Sequence, residues 1–284
     1  MSNSTTTQTV ALTSLVMVAF ATNSLLCREA ISSNSIGVVD FTVARLVSGA
    51  VILWLLGAIS SGKPGIGGNW LSAMALFGYA ACFSIAYTTL SAGTGALLLF
   101  GAVQFSMISW GLIRGERLTL IKWIGGLSAF FGLVWFVAPG VEAPPILGAV
   151  LMAAAGIWWG IYSLRGRGAE DPTRDTAGNF VRTMPMAAVL CFLPIENSVQ
   201  ATTAGWILAI SSGALASGLG YALWYAVLPK LSAATSATVQ LSVPIIAAIG
   251  GVFLLGEPFT SRLSIASAVV LGGIFVFINS GRRA

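Results

Sequence analysis

Leu90-Ser91-Ala92-Gly93-Thr94-Gly95-Ala96 opens a stretch that the chain contains twice, because Leu231-Ser232-Ala233-Ala234-Thr235-Ser236-Ala237 repeats it 141 positions later. Continued without a gap over residues 90–137 and 231–278, the alignment places Gly115-Glu116 on Gly256-Glu257, Thr119 on Thr260 and Gly132 on Gly273. It holds 12 identities, and turn residues match as well as apolar ones. A constant offset through both kinds of position indicates an internal duplication.

Composition says where that duplication lives. Hydrophobic residues make up 56% of the 284 and charged residues only 8%, against about 25% charged in soluble domains. So little charge cannot solvate the surface of a soluble chain, and a polytopic membrane protein follows. The net charge of +5 does not point to nucleic acid, because the basic residues sit in short gaps between apolar runs, where they act as topology signals. Cys27, Cys82 and Cys191 lie far apart in or beside apolar runs. With no metal-type spacing they read as packing residues. There is no histidine, which removes the commonest proton relay.

Residues 1–9 are Ser/Thr-rich and are expected to form a disordered cytoplasmic N-terminus. Ten apolar segments follow, at 10–27, 38–60, 69–89, 93–113, 120–138, 146–164, 177–194, 204–228, 233–255 and 261–280. Each is near the ~20 residues that an α-helix needs to cross a bilayer. The connecting gaps are short and rich in Gly and Pro, so neighbouring helices run antiparallel. The fold class expected is therefore an all-α membrane protein with ten transmembrane helices. If the N-terminus is cytoplasmic, 11 of the 14 basic residues lie inside and only Arg28, Arg45 and Arg262 outside. Both termini are thus expected in the cytoplasm.

Five helices separate the two copies of the repeat, an odd number, so equivalent helices cross in opposite directions. Weaker matches of Arg28 with Arg165 and Arg45 with Arg182, both at an offset of 137, extend the duplication to the first two helices. The expectation is a first five-helix repeat over 10–139 and a second, inverted one over 144–280, together one membrane domain. Inverted repeats are the architecture of alternating access.

The residues able to meet a solute are aromatics and a few amides. Tyr79, Phe83 and Tyr87 share a face of the third segment, as Ser217, Tyr221 and Trp224 do in the eighth, while Trp158, Trp159 and Tyr162 cluster in the sixth. Rings gathered this way offer stacking surface to a flat apolar ligand, although packing explains aromatics as readily. Asn23, Gln104 and Gln240 are amides at membrane depth that must find partners or water. Pro244 lies four residues after Gln240 and would free the carbonyl of residue 240, making a hinge; Pro185 is a second hinge candidate. No carboxylate sits mid-helix: Asp40, Glu116, Glu142, Glu196 and Glu257 fall at segment ends or in loops. An intramembrane proton carrier is therefore not visible, and Glu116 and Glu257 read as turn or cap residues. Arg45 and Arg182 read as side chains snorkelling to the headgroups rather than as carboxylate-binding groups.

Ten helices as two inverted halves, with Leu90-Ser91-Ala92, Gly115-Glu116, Leu231-Ser232-Ala233 and Gly256-Glu257-Pro258, resemble the drug/metabolite transporter superfamily in its EamA-type branch. Within it the chain most resembles the aromatic amino acid exporters of the bacterial inner membrane. The resemblance implies efflux of Phe, Tyr, Trp and other amino acids through a cavity lined by helices one, three, four, six, eight and nine. It makes Tyr79, Phe83, Trp158 and Trp224 cavity rings.

The expectation is a secondary transporter, not an enzyme, acting as a monomer in the bilayer on small solutes, with no cofactor, no metal and no nucleic-acid partner. Efflux of hydrophobic or cationic drugs or other small metabolites is the alternative, although it would favour a membrane carboxylate that the chain lacks.

Overall fold

The computed structural model of the chain describes residues 3–61, 67–115, 118–166, 171–192, 199–231 and 239–279. Glu116, Arg117, Glu196 and the repeated motif at 232–238 lie outside the described residues. All regular structure among the described residues is helical.

The elements follow the apolar segments: α1 (Asn3–Ser32), α2 (Val38–Ser61), α3 (Trp70–Ala86), α4 (Ala92–Ile113), α5 (Leu120–Val137) and α6 (Ile146–Gly166). The seventh segment is a broken pair, α7 (Pro172–Arg182) and α8 (Met184–Leu190). The eighth is composite: α9 (Thr203–Ser211), a π-helical segment (Ser212–Leu219) and α10 (Gly220–Val227). Last come α11 (Ser242–Leu255) and α12 (Ser261–Asn279). Helix α1 begins at Asn3, so the stretch expected to be disordered at 1–9 is helical from that residue; the Thr13 hydroxyl returns to the Thr9 carbonyl at 2.7 Å inside it.

Short polar side chains start these helices. Asn69 Oδ1, Ser91 Oγ, Thr119 Oγ1, Asp171 Oδ1 and Thr202 Oγ1 each accept from the backbone N–H three residues on, at 3.0 to 3.4 Å. Each satisfies one N–H that the first turn leaves open. At the other end, Gly256 closes α11 with φ 64°, a conformation that favours glycine.

Among the described residues seven helices are long and apolar enough to cross a membrane: α1, α2, α4, α5, α6, the composite helix over Thr203–Val227, and α12. The remaining apolar helices, α3 and α11, have 17 and 14 residues. The perimeter is apolar, with Ile121, Ile124, Phe131, Ile265 and Phe275 all more than half exposed. Trp70, Trp110, Trp123, Trp135 and Trp206 are exposed within four residues of a helix end, where indole rings sit at membrane interfaces. The chain is a multi-pass membrane protein.

Small residues let the helices close on one another. A Cβ on Gly156 of α6 would stand 2.5 Å from the Leu99 carbonyl of α4, and Gly125 of α5 and Gly273 of α12 meet backbone to backbone in the same way. Helix α5 packs on α12, α4 on α11, and α2 on α7, α8, α9 and the π segment. Helix α6 lies against α3 and α4, while α1 lies against the composite helix and α11. The body between α1, α3, α4, α6 and the composite helix is where the candidate site forms.

Candidate functional site

A cavity of about 10 Å³ lies among these five elements, room for about one water molecule. Helix α1 contributes Phe20, Asn23 and Ser24, α3 Tyr79 and Phe83, α4 Leu99 and Phe100, α6 Trp159 and the composite helix Tyr221. Trp159 is the hub. Its ring centre is 5.0 Å from Tyr79, 4.8 Å from Tyr221, 5.7 Å from Tyr162 and 6.0 Å from Phe20. Phe20 also meets Trp224 edge-on at 6.0 Å. Of the residues read from the sequence, the structure brings together Asn23, Tyr79, Phe83, Trp159, Tyr162, Tyr221 and Trp224.

It does not bring together the rest. Trp158 points about 100° away from Trp159, as adjacent helical residues must, and lies over Gly78 of α3, where a Cβ would come within 2.9 Å of the indole. Gln104 is buried on α4 with its Nε2 lacking a hydrogen-bond partner, but it does not line the cavity. Gln240 is buried too and likewise stands apart from the lining. Pro244 and Pro185 both sit in the first turn of a helix, α11 and α8, just after breaks at Leu241 and Thr183. A missing N–H costs little there, so each proline marks where a transmembrane segment restarts.

The polar side of the cavity is one connected network. Asn23 Nδ2 donates to the Tyr79 hydroxyl at 3.1 Å, and Asn23 Oδ1 accepts from Ser212 Oγ at 2.6 Å. Arg45 Nη2 donates to the same Tyr79 oxygen at 3.0 Å, and Arg45 Nε to Ser217 Oγ at 3.3 Å. The π segment makes this possible. Ser212 and Ser217 are five residues apart, about 140° around an α-helix, whereas a pitch with i→i+5 bonding turns them to nearly the same side.

Arg45 corrects the reading from sequence: it does not snorkel. The residue is 1% exposed and ranks among the largest fully buried side chains. Its guanidinium carbon stands 4.7 Å from the Phe83 ring centre and 5.0 Å from that of Tyr79. Stripping a cation of water costs several kcal/mol. Cation–π contact worth about 2 kcal/mol when desolvated and hydrogen bonds to a charged group, about 1.5–3 kcal/mol each, offset part of it. Its sequence partner Arg182 behaves differently, donating to the carbonyls of Gly67 and Gly178 beside α7.

Beyond the Trp159–Tyr162 ring contact lies a separate polar vestibule of about 200 Å³, which shares no lining residue with the cavity. Tyr162, whose hydroxyl reaches Thr176 Oγ1 at 3.4 Å, forms its floor together with Tyr225. Arg165 stands at its rim, donating to Ser72 Oγ at 3.0 Å and Asn69 Oδ1 at 2.9 Å, and Asp175 and Asn179 hold the backbone N–H groups of Gly68 and Asn69. The opposite side is shut. Arg28 Nε pairs with Glu257 Oε1 at 2.9 Å, Arg28 Nη1 donates to the Tyr87 carbonyl at 2.9 Å, and the Ala92 N–H donates to Glu257 Oε2 at 2.8 Å. Glu257 is thus the cap residue the sequence indicated, and it also ties together the ends of α1, α3, α4 and α11.

Comparison with known proteins fits this arrangement. Residues 146–279 match the model of the EamA-like transporter family, and an uncharacterized protein of Pseudomonas aeruginosa is 50% identical over 95% of this chain and 94% of its own length. The chain belongs to the EamA-like transporter family. An uncharacterized transporter of Archaeoglobus fulgidus is 26% identical over 72% of the chain and 76% of its own length. The threonine/homoserine exporter RhtA of Escherichia coli is 29% identical over 64% of this chain and 62% of that protein. A solved crystal structure superposes with a TM-score of 0.70 at 19% identity over 98% of this chain and 99% of that one, a likeness of fold.

Sequence reasoning passed over Phe20 and Ser212 and misplaced Arg45. Phe20 lies one turn before Asn23, so the face of α1 carrying that amide was the signal available.

Proposed function

We propose that this EamA-like transporter exports amino acids, aromatic ones among them, from the cytoplasm across the inner membrane by alternating access. The observation that carries this reading is the ring cluster on Trp159, closed at one end by Arg28–Glu257 and separated at the other from a polar vestibule by the Trp159–Tyr162 ring contact. Apolar rings on one wall and the Asn23–Tyr79–Arg45 network on the other suit a solute with an aromatic side chain and a zwitterionic head. A cavity of about 10 Å³ is far smaller than an amino acid, so binding requires the rings to part; this is a contracted state of the carrier.

Helix packing supports two inverted five-helix halves. The contact of α6 with α3 and α4 is matched by that of α1 with the composite helix and α11, while α4–α11 and α5–α12 join helices of equivalent rank. With the termini cytoplasmic, the vestibule opens inward and the Arg28–Glu257 end faces outward. The exporter RhtA, whose name gives threonine and homoserine as cargo, supports amino acid export; the rings extend it to aromatic side chains. Liposomes containing the purified chain should accumulate labelled Phe or Trp above protein-free liposomes, and equality across a wide amino acid panel would overturn the reading.

A further inference from the structure

We infer that Arg45 is the carboxylate anchor of the central site, so that the transported solutes share a carboxylate rather than an amine. This rests on the reading of the cluster as a solute site. Arg45 Nη1 is buried and has no hydrogen-bond partner among the described residues, and the Tyr221 hydroxyl is in the same position. The Tyr79 oxygen already accepts from Arg45 and Asn23, which uses both of its lone pairs and leaves its own O–H to donate. Arg45 does not line the contracted cavity but stands directly behind two rings that do, Tyr79 and Phe83, so parting of those rings brings its guanidinium to the solute, and no carboxylate side chain lines the cavity among the described residues.

The physical asymmetry is what selects the ligand class. A buried guanidinium whose neighbours are hydroxyls and rings leaves a full positive charge uncompensated, and buried charges are ordinarily paired. An incoming carboxylate supplies two acceptor oxygens and the missing charge, and the planar guanidinium matches its geometry. An ammonium placed against Arg45 would meet like charge and surplus donors, so the head group is oriented with its carboxylate toward Arg45. A carboxylate with an aromatic or alkyl tail can place that tail against Trp159 and Phe20, so the head group is the fixed requirement and the side chain the variable one.

The test compares ligands on the wild-type chain and depends on no variant folding. Thermal unfolding of the purified protein in detergent is followed with L-Phe, 3-phenylpropionate, phenethylamine and L-phenylalaninamide. Phe and 3-phenylpropionate should stabilise the protein at concentrations at least tenfold lower than the amine and the amide need. Arg45→Gln should remove that preference, and Arg45→Lys should keep it in part. Equal stabilisation by all four ligands, or none by the two carboxylates, overturns the assignment. Liposome uptake separates the two levels: binding of carboxylates without Phe uptake sustains the anchor and defeats amino acid export, whereas Phe uptake inhibited equally by phenethylamine and 3-phenylpropionate sustains export and defeats the anchor.

Discussion

Replacing Glu257 with Gln should open the end of the protein that the structure holds shut. The Glu257 carboxylate accepts from Arg28 Nε at 2.9 Å and from the Ala92 N–H at 2.8 Å, with the two paired side chains 21% and 11% exposed. Each such bond to a charged group contributes about 1.5–3 kcal/mol when well buried. Partial exposure and the acceptor that Gln retains reduce the loss to about 2 kcal/mol in total. The loss falls on the closed state alone, so the equilibrium toward opening shifts about thirtyfold. Cys27 supplies the reporter, since its thiol is fully buried one residue before Arg28 on α1. In a Cys82→Ser, Cys191→Ser background, a hydrophilic thiol reagent should label Cys27 about thirtyfold faster in Glu257→Gln than with Glu257 intact. A rate within twofold of the parent, with Cys27 labelling freely once the protein is denatured, would refute the role of this pair as a closure.

Trp159→Phe should raise the apparent KM for Phe uptake about tenfold through lost ring contact, whereas Trp158→Phe should leave it within about twofold because that indole packs over Gly78; reversed effects in liposome uptake would reject the assignment. Arg262 donates to the carbonyls of Phe136, Val141, Trp135 and Ala138 at the end of α5, so Arg262→Met should cost roughly 2–3 kcal/mol and lower the apparent Tm in detergent with uptake selectivity unchanged. A Cβ on Gly213 of the π segment would collide with the Arg45 carbonyl and Ser48 Oγ of α2. Gly213→Ala should therefore lower the apparent Tm and weaken carboxylate binding together, and an unaltered protein would show that α2 and the π segment are not locked in this register.

Several helices were legible because a residue with a local job bounds the apolar run: Asn69, Ser91, Thr119 and Thr202 all cap where the sequence places a segment start. Among the described residues seven helices meet the length needed to span, and α3 and α11 are shorter because α3 ends in a turn at Tyr87 and α11 begins after a break at Leu241. The aromatic face of α3 was legible from the four-residue spacing of Tyr79 and Phe83. Which of two adjacent indoles faces inward was not, since Trp158 and Trp159 differ only by rotation about α6 and a glycine on the facing helix decides it. Arg45 was misread for a related reason. Eight residues into α2, a long cationic side chain can climb to the headgroups or turn inward, and only the facing Tyr79, Phe83 and Ser217 turn it inward. The π segment has no signature in composition, yet it is the element from which Ser212 reaches Asn23 and Ser217 receives Arg45.

Trans-stimulated exchange tests the account most directly. Liposomes bearing the purified chain are loaded with unlabelled Phe and diluted into a trace of labelled Phe. A carrier whose single ring-lined site is exposed to one side at a time should take up the label faster than empty liposomes bearing the same chain, with a transient overshoot. Label entry at the same rate with and without internal Phe would contradict alternating access through the Trp159 site.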